Sequence, residues 1–329
     1  LVGKWHLGYP PNFGPLKSGY AEFFGALSGG LDYFTHRDTS GHHDLWDGEA
    51  ESRRTGYLTD LISERAVDYI GRRKGAPEPF LLSVHYTAPH WPWETRDDEE
   101  EARRIERIIH TDGGSVETYL TMVRHMDEGI GRILDALDAT GASDDTLVVF
   151  TSDNGGERFS DTWPLVGKKM DLLEGGIRVP YIVRWPGRVP AGTVSAQHAI
   201  TMDWSATMLA AAGVSAHPGF PLDGVSLLGV LERPQAIFER ELFWRMKFRR
   251  QKAMRSGNWK YLAIEEDEYL FDLSRDARER ANLARRESER LAAMRERWMA
   301  WEKTVPTLPE DATYSIPYTK ADMAMPSSV

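Results

Sequence analysis

The sequence predicts an α/β protein in which a mostly parallel sheet is flanked by helices and followed by a smaller antiparallel subdomain. Short, nearly continuous apolar runs are typical of strands that are buried on both faces of a parallel sheet. Longer segments with apolar residues at helical spacing alternate with these runs. Functional groups of such a fold are expected at the carboxyl ends of the strands.

Two strands and two helices of the first part can be placed individually. The apolar runs Pro79 to Tyr86 and Thr146 to Ser152 are the predicted strands, and each ends in polar residues. One helix is predicted from Thr59, whose hydroxyl we expect to cap it, with basic residues in its last turn. The second helix, from Val116, is expected to stop at Gly141.

After about residue 230, the alternation of apolar strands and helices gives way to short strands followed by a charged helix. Residues 240 to 273 read as several short strands joined by turns such as Ser256-Gly257-Asn258, and residues 278 to 304 have the pattern of a charged amphipathic helix. We therefore predict an α/β domain over residues 1–230 and a C-terminal subdomain, a small antiparallel sheet plus a helix and a tail, over residues 231–329.

Composition limits the class of protein and its partners. With 329 residues, of which 41% are hydrophobic, the chain can bury a sizeable core, and no apolar run reaches the length of a membrane span. A formal net charge of −10 argues against nucleic acid or an anionic membrane as the main partner, because both would repel it. The absence of cysteine removes disulfides, thiolate metal sites and a cysteine nucleophile.

The first candidate site lies near the start of the chain, in the run Gly3 to Gly8. In an extended segment, residues i and i+2 point to the same side, so Lys4 and His6 would project together while Trp5 and Leu7 face the core. The result would be a small cationic surface with an apolar back. An isolated Lys-x-His is more typical of an ordinary strand end with a solvated lysine and a hydrogen-bonded histidine, so this stretch needs support from elsewhere in the sequence.

A second candidate site follows the strand that ends at Ser152. Asp153, Asn154 and two glycines come directly after it, which places a carboxylate and a carboxamide at the edge where an α/β sheet holds its ligand. Both are hard oxygen donors and suit Ca²⁺ or Mg²⁺. Asp-Asn-Gly is also an ordinary turn sequence.

Two further loops carry candidate cations or proton donors. His90 follows a strand and lies among prolines and tryptophans that stiffen the backbone, so it is a reasonable acid or hydrogen-bond donor. Lys168 and Lys169 precede the Glu174-Gly175-Gly176 segment. Adjacent lysines in an extended loop point in opposite directions, so one of them is expected to enter a site.

Five segments, taken together and in this order, resemble the sulfatases, members of the alkaline phosphatase-like superfamily. They extend over nearly the whole chain and read GKWHLG, APH after a strand, TLVVFTSDNGG, GKKMDLLEGGIRVP and YLFDLSRDARERANLA. The segment FFGALSGGLDYFTH further resembles the arylsulfatase and N-acetylgalactosamine-sulfatase branch. The resemblance implies an alkaline phosphatase-like fold and a sulfuric ester hydrolase acting on an aryl or carbohydrate sulfate.

Carried over position by position, the resemblance implies catalytic roles for three side chains of the first part. Lys4 would bridge the sulfate and the nucleophilic group, and His6 would hydrogen-bond the hydroxyl of that group. His90 would contact a sulfate oxygen or the leaving oxygen, so it is the expected proton donor to the leaving alcohol.

The resemblance also implies a second lysine and a metal. Lys169 would be the second sulfate-binding and catalytic lysine, because it lies five residues before Glu174 as in the family pattern, whereas Lys168 does not. Asp153 and Asn154 would be metal ligands. We expect Ca²⁺ ahead of Mg²⁺, and not Zn²⁺, because the available donors are oxygens.

The family's nucleophile is a formylglycine made from the Cys or Ser of a C/S-x-P-S/A-R motif, which this sequence lacks. Ser315 begins the one similar stretch, SIPYT, which has neither the small residue nor the Arg. The family's Asp-Asp pair of metal ligands is also missing, since Asp144-Asp145 precedes a strand and Asp97-Asp98 lies in an acidic run. We expect the chain to start downstream of the nucleophile, without roughly a hundred residues of the first α/β segment, and to be inactive by itself.

Two other classes of function stay open. A phosphatase or phosphonate monoester hydrolase of the same superfamily would bind a tetrahedral anion in a similar way, although GKWHLG favours sulfate. A noncatalytic binding protein would be preferred if the natural gene also lacked the nucleophile. The resemblance further implies export, to the periplasm or out of the cell.

Overall fold

The structure, a computed structural model, describes residues 1–104 and 113–312. Ser315 and the rest of the predicted C-terminal tail lie outside the described residues. Contacts between Cα atoms divide the chain into two compact units, Leu1–Thr146 and Leu147–Val329. The predicted domain boundary at residue 230 stays a prediction.

The first unit contains a five-stranded sheet with the strand order β4-β3-β2-β1-β5. Its strands are β1 (Val2–Gly3), β2 (Phe24–Gly25), β3 (Trp46–Asp47), β4 (Ala50–Glu51) and β5 (Val84–His85). β1 lies between β2 and β5 and runs parallel to both, whereas β3 and β4 are added antiparallel. The strand predicted over residues 79–86 is shorter than expected, because its pairing with β1 covers Val84 and His85. The carboxyl end of β1 leads directly to Lys4.

The helices of the first unit are α1 (Leu58–Arg72), α2 (Glu99–Arg104) and α3 (Val116–Thr140), with 3₁₀ helices at Pro15–Ser18 and Ser143–Asp145. The predicted end of α3 is confirmed, because Gly141 takes a left-handed φ of 76°. The prediction that Thr59 caps α1 is wrong, since Tyr57 occupies the cap position and Thr59 lies buried in the first turn. Burial of Leu58 and Thr59 in the core, rather than hydroxyl capping, decides where α1 begins.

The second unit starts with a pair of antiparallel strands, β6 (Val148–Thr151) and β7 (Tyr181–Arg184). The expectation that residues 146–152 are buried on both faces of a parallel sheet is wrong. All four residues of β6 are only half-buried, and the paired neighbour runs in the opposite direction. The strand nevertheless leads at its carboxyl end to Asp153, as the sequence predicts.

A four-stranded antiparallel sheet with the order β11-β10-β9-β8 forms the C-terminal part of the second unit. Its strands are β8 (Glu241–Met246), β9 (Gln251–Ser256), β10 (Trp259–Ile264) and β11 (Asp267–Asp272). The predicted turn at Ser256-Gly257-Asn258 joins β9 to β10, with Gly257 at a φ of 55°. Successive residues of these strands alternate between two apolar clusters, so Ala253 and Leu262 belong to one and Met254 and Tyr261 to the other.

The helices of the second unit are α4 (Glu174–Ile177), α5 (Asp203–Ala211), α6 (Leu228–Glu232) and α7 (Ser288–Glu302), with a 3₁₀ helix at Phe248–Arg250. The predicted C-terminal helix is confirmed as α7 but starts later, because Asn282 and Leu283 hydrogen-bond Leu270 of β11 instead of continuing a helix. None of the helices in the described ranges combines the length and the apolar character needed to cross a bilayer.

Candidate functional site

Lys4 and His6 follow β1, which lies between its two parallel neighbours β2 and β5. The Lys4 amide donates to the His85 carbonyl over 2.8 Å, and the His6 amide donates to the Leu27 carbonyl over 3.1 Å. Gly3 makes this possible, because a Cβ there would lie 2.0 Å from the His85 carbonyl oxygen and the φ is +106°. The backbone of Lys4 is therefore held by β5, and that of His6 by the segment that follows β2.

The expectation of an extended segment with an apolar back is only half right. Trp5 is half-buried and packs against the buried cluster of Leu1, Phe23 and Leu27, as predicted. His6 has a φ of +58°, which ends the extended geometry. Leu7 is therefore 69% exposed and does not face the core.

His6 and His90 meet at one short backbone segment, Gly29-Gly30. A Cβ at Gly29 would lie 2.3 Å from His6 Nε2, and a Cβ at Gly30 would lie 3.2 Å from His90 Cε1. Two of the predicted catalytic groups, 84 positions apart in the printed sequence, therefore contact consecutive residues. The analysis of the sequence missed the role of Gly29-Gly30, although the pair stands out in the segment FFGALSGGLDYFTH.

A buried carboxylate holds the glycine segment in place. Asp44 is 4% exposed, and its two oxygens accept from the Leu27 amide over 3.1 Å and from the Ser28 amide over 2.8 Å. A charged acceptor with two backbone donors is a strong local constraint. Asp44 is thus a second residue of the region that the sequence alone did not indicate.

The imidazole of His90 is oriented by its own loop. Nδ1 lies 2.8 Å from the Trp91 carbonyl oxygen, which can only accept, so Nδ1 carries a proton and donates it. The backbone is held as well, because the His90 amide donates to the Thr87 carbonyl over 2.9 Å and the Tyr33 hydroxyl donates to the His90 carbonyl over 2.8 Å. The tautomer and the orientation of the His90 ring are therefore fixed by the loop that carries it.

A buried carboxyl group, Glu94, lies behind the His90 loop. Burial, reinforced by the negative charge of Asp32, raises the pKa of Glu94 to about 9. Its Oε2 accepts from the Tyr33 amide over 3.1 Å, and its backbone carbonyl accepts from the Tyr57 hydroxyl over 2.7 Å. At neutral pH, Glu94 is therefore a protonated, structural group.

In the second unit, the turn after β6 is stacked on the segment that contains Glu174. The Gly155 amide donates to the Gly176 carbonyl over 2.8 Å, and a Cβ on Gly155 would lie 1.9 Å from the Gly175 carbonyl oxygen. Asp153 is exposed and Asn154 is half-buried. Gly155, the first glycine after the candidate metal ligands, is thus required by the close approach of two backbones.

Lys169 is attached to this turn through its backbone and its side chain. Its amide donates to the Gly156 carbonyl over 2.7 Å, and its Nζ lies 3.2 Å from Glu157 Oε2. Lys168 instead uses its amide to bond Asp171 Oδ2 over 3.1 Å. The structure therefore brings Lys169 together with the Asp153–Gly156 turn, and it adds Glu157, which the sequence analysis missed.

The two predicted metal ligands are suited to part of a Ca²⁺ or Mg²⁺ site. Residues 1–104 and 113–312 contain no group of three or more His, Cys, Asp or Glu side chains that could hold a metal ion. Asp153 and Asn154 supply a carboxylate and a carboxamide, whereas these cations take about six to eight oxygen ligands. The pair fits the chemistry of either cation and needs further ligands to complete it.

The predicted site residues thus form two local groups. Lys4, His6 and His90 are gathered in the first unit, and Asp153, Asn154 and Lys169 in the second. The resemblance to sulfatases predicts that all six side chains converge on one cleft, and this convergence stays a prediction.

Comparisons with known proteins agree on one family. The family model described as Sulfatase matches residues 1–214, and the model described as N-sulphoglucosamine sulphohydrolase, C-terminal, matches residues 163–300. N-acetylgalactosamine-6-sulfatase of Canis lupus familiaris is 33% identical over 262 residues, which cover 74% of this chain and 48% of that protein. The chain spans about half the length of the curated relatives it matches.

Solved structures agree with the predicted α/β fold. Ps i-CgsB in complex with k-i-k-neocarrahexaose is 29% identical, with a TM-score of 0.79 over 91% of this chain and 70% of that one. A protein solved with its substrate D-glucosamine-2-N,6-O-disulfate has a TM-score of 0.71 over 92% of this chain and 78% of its own, at 20% identity, and is similar in fold. The predicted alkaline phosphatase-like α/β class is confirmed.

Proposed function

Because the chain belongs to the sulfatase family, we propose that it is the anion-binding part of a sulfuric ester hydrolase that acts on a carbohydrate or aryl sulfate. The observation that carries this proposal is the Sulfatase match over residues 1–214, a range that includes all six predicted site residues. Formylglycine, which the family implies, would supply the nucleophile, and no motif for it occurs in the 329 residues.

Lys4 and Lys169 are the proposed ligands of the sulfate oxygens. They would concentrate positive charge locally in a chain whose formal net charge is −10. Lys169 is paired with Glu157 at 3.2 Å, so an incoming sulfate competes with a carboxylate for the same ammonium group.

The two histidines have separate proposed roles. His90 holds its Nδ1 proton toward the Trp91 carbonyl, so Nε2 is the atom that would donate a proton to the leaving oxygen. His6 would hydrogen-bond the nucleophilic hydroxyl. The contacts of both rings with Gly29-Gly30 support a shared site for these two groups.

Asp153 and Asn154 are the proposed protein ligands of Ca²⁺, ahead of Mg²⁺. When bound, the cation would add positive charge against the sulfate oxygens. A sulfated glycan is the favoured substrate class. The relatives are named as sulfatases of an amino sugar, and two similar structures were solved with an oligosaccharide or a sulfated glucosamine.

The proposal is tested by titrating the chain with inorganic sulfate in the presence of calcium, using isothermal calorimetry. Lys169→Ala is expected to weaken sulfate binding by about tenfold, the loss of one charge-assisted contact. Lys168→Ala is the matched control, since it removes the same charge one residue away, and it is expected to leave the Kd within about twofold. Equal losses in both variants would contradict the assignment of Lys169.

A parallel titration with inorganic phosphate separates the alternatives. Tighter binding of phosphate than of sulfate would favour a phosphatase or phosphonate monoester hydrolase. Binding of an aryl sulfate without turnover, in a natural protein that carries no nucleophile, would favour a noncatalytic binding protein.

A further inference from the structure

The segment Val166–Gly176, called here the lysine loop, carries Lys169 and has little regular structure of its own. α4 begins only at Glu174, and Met170 takes a left-handed φ of +76°. A few hydrogen bonds close the loop on itself, such as the Gly175 amide to the Val166 carbonyl at 2.7 Å. Further contacts come from the turn after β6, from the four-stranded C-terminal sheet and from the turns after β11.

Gln251, the first residue of β9, binds the middle of the lysine loop with both ends of its amide. Its Oε1 accepts from the Leu172 amide over 2.9 Å, and its Nε2 donates to the Met170 carbonyl over 2.8 Å. Gln251 is 1% exposed, so water does not compete for these bonds. The backbone groups that it holds lie one and three residues after Lys169.

Lys260 of β10 and Glu279, in the turns after β11, bind the end of the lysine loop through Glu174. Lys260 Nζ lies 3.0 Å from Glu174 Oε1 and 2.8 Å from Glu279 Oε1, and Arg255 bonds Glu174 Oε2 over 3.0 Å. The Glu174 amide donates to Glu279 Oε2 over 2.6 Å. The side chains of Lys260 and Glu279 are 0% exposed, so two buried carboxylates are balanced by two cations.

The pleat of the sheet separates these contacts from the packing of α7. Gln251, Ala253 and Arg255 lie on the face that contacts the lysine loop. Met254 lies on the opposite face, in the cluster that contains Met294 and Trp298 of α7. One face of β9 is therefore committed to the lysine loop, and a substitution on the other face leaves those bonds intact.

We propose that Gln251, Lys260 and Glu279 are positioning residues, which hold the lysine loop so that Lys169 reaches the Asp153–Gly156 turn. The last link is the Lys169 amide on the Gly156 carbonyl, at 2.7 Å. The C-terminal sheet thus sets the sulfate affinity of a lysine that lies outside it, because a small displacement of a binding group costs much of its contribution. This inference rests on the proposed function, in which Lys169 binds sulfate.

The decisive variant is Gln251→Met, which keeps the length of the side chain and removes both hydrogen bonds. We expect sulfate to bind about tenfold more weakly, out of proportion to any fall in Tm. Met254→Ala is the matched control, since it destabilises the same strand from the α7 face. Its Kd for sulfate is expected to stay within about twofold of the wild-type value, even where its Tm falls further.

A hydrogen-exchange measurement on the wild-type chain provides the second readout. The amides of Leu172 and Glu174 are expected to be protected as strongly as those of β9 and β10, because their acceptors belong to the buried network. Wild-type sulfate affinity in Gln251→Met, or fast exchange at Leu172 and Glu174, would overturn the inference. If the wild-type chain bound no sulfate while these amides stayed protected, the proposed function of Lys169 would be wrong. The conclusion that the buried network holds the lysine loop would still stand.

Discussion

Around His6 and His90 the backbone comes so close to the imidazoles that a Cβ at Gly29 would lie 2.3 Å from His6 Nε2. Around Lys169, by contrast, the backbone is held by buried charged and amide side chains such as Lys260 and Gln251. Added volume is limiting beside the histidines, whereas the region around Lys169 combines close backbone contacts, as at Gly155, with a balance of buried charge. The two regions are therefore expected to respond most strongly to different kinds of substitution.

The largest effect is expected from breaking the charge balance of the second region. Lys260→Met removes the cation shared by Glu174 and Glu279, so the free energy of unfolding should fall by about 3–5 kcal/mol in urea titrations. Lys252→Met is the matched control, because Lys252 lies on the other face of β9, 4.9 Å over the Trp298 ring, and its loss should cost about 1 kcal/mol or less.

The double variant Lys260→Met/Glu279→Gln sharpens this test. Glu279→Gln removes one of the two buried carboxylates that Lys260→Met leaves behind, so the double variant should be more stable than the single one. A double variant that is less stable than Lys260→Met would show that charge balance is not what holds the region.

The next effect concerns the neutral carboxyl group of the first region. The pKa of Glu94 is raised from its ordinary value of 4.5 to about 9. Between these two pH values, Glu94 is therefore protonated in the native state and ionised in the unfolded state. The contribution of protonated Glu94 to the free energy of unfolding is fully present below pH 4.5 and is lost as the pH rises through about 9. Glu94→Gln should therefore flatten this decline and raise stability at pH 8 by about 1–3 kcal/mol.

Urea unfolding between pH 4 and pH 10 measures this prediction. Asp97→Asn is the control, since Asp97 is exposed and belongs to the same segment, so the same acid-to-amide change is made outside the core. An unaltered slope in Glu94→Gln would mean that Glu94 is ionised in the native protein.

The smallest effect on stability is expected from added volume beside His6. Gly29→Ala should displace the exposed His6 ring, leave the free energy of unfolding within about 1 kcal/mol, and weaken sulfate binding about fivefold. Gly30→Ala is the graded control, because its Cβ would lie 3.2 Å from His90 and requires a smaller shift. If Gly29→Ala bound sulfate as tightly as the wild-type chain, the space beside His6 would not limit sulfate binding.

Much of the fold follows from local patterns in the sequence. The period of apolar residues predicts α3, α7 and the short C-terminal strands, and glycines mark the end of α3 and the turn between β9 and β10. The order of the five segments that resemble sulfatases identifies the family. The same patterns place Asp153 just after a strand, because the end of an apolar run is visible from neighbouring residues alone.

The contacts that hold the candidate residues were decided only by the tertiary structure. Glu94 bonds a residue 61 positions away, Gln251 bonds one 79 positions away, and the Glu174 amide bonds a residue 105 positions away. A lone buried Glu, Gln or Lys has no periodic signature, since its role depends on which distant group it meets when water is excluded. The sequence by itself therefore determined the family, the strand ends and the candidate side chains. The pairing of distant segments decided which glycines make room for the histidines and which buried groups hold the lysine loop.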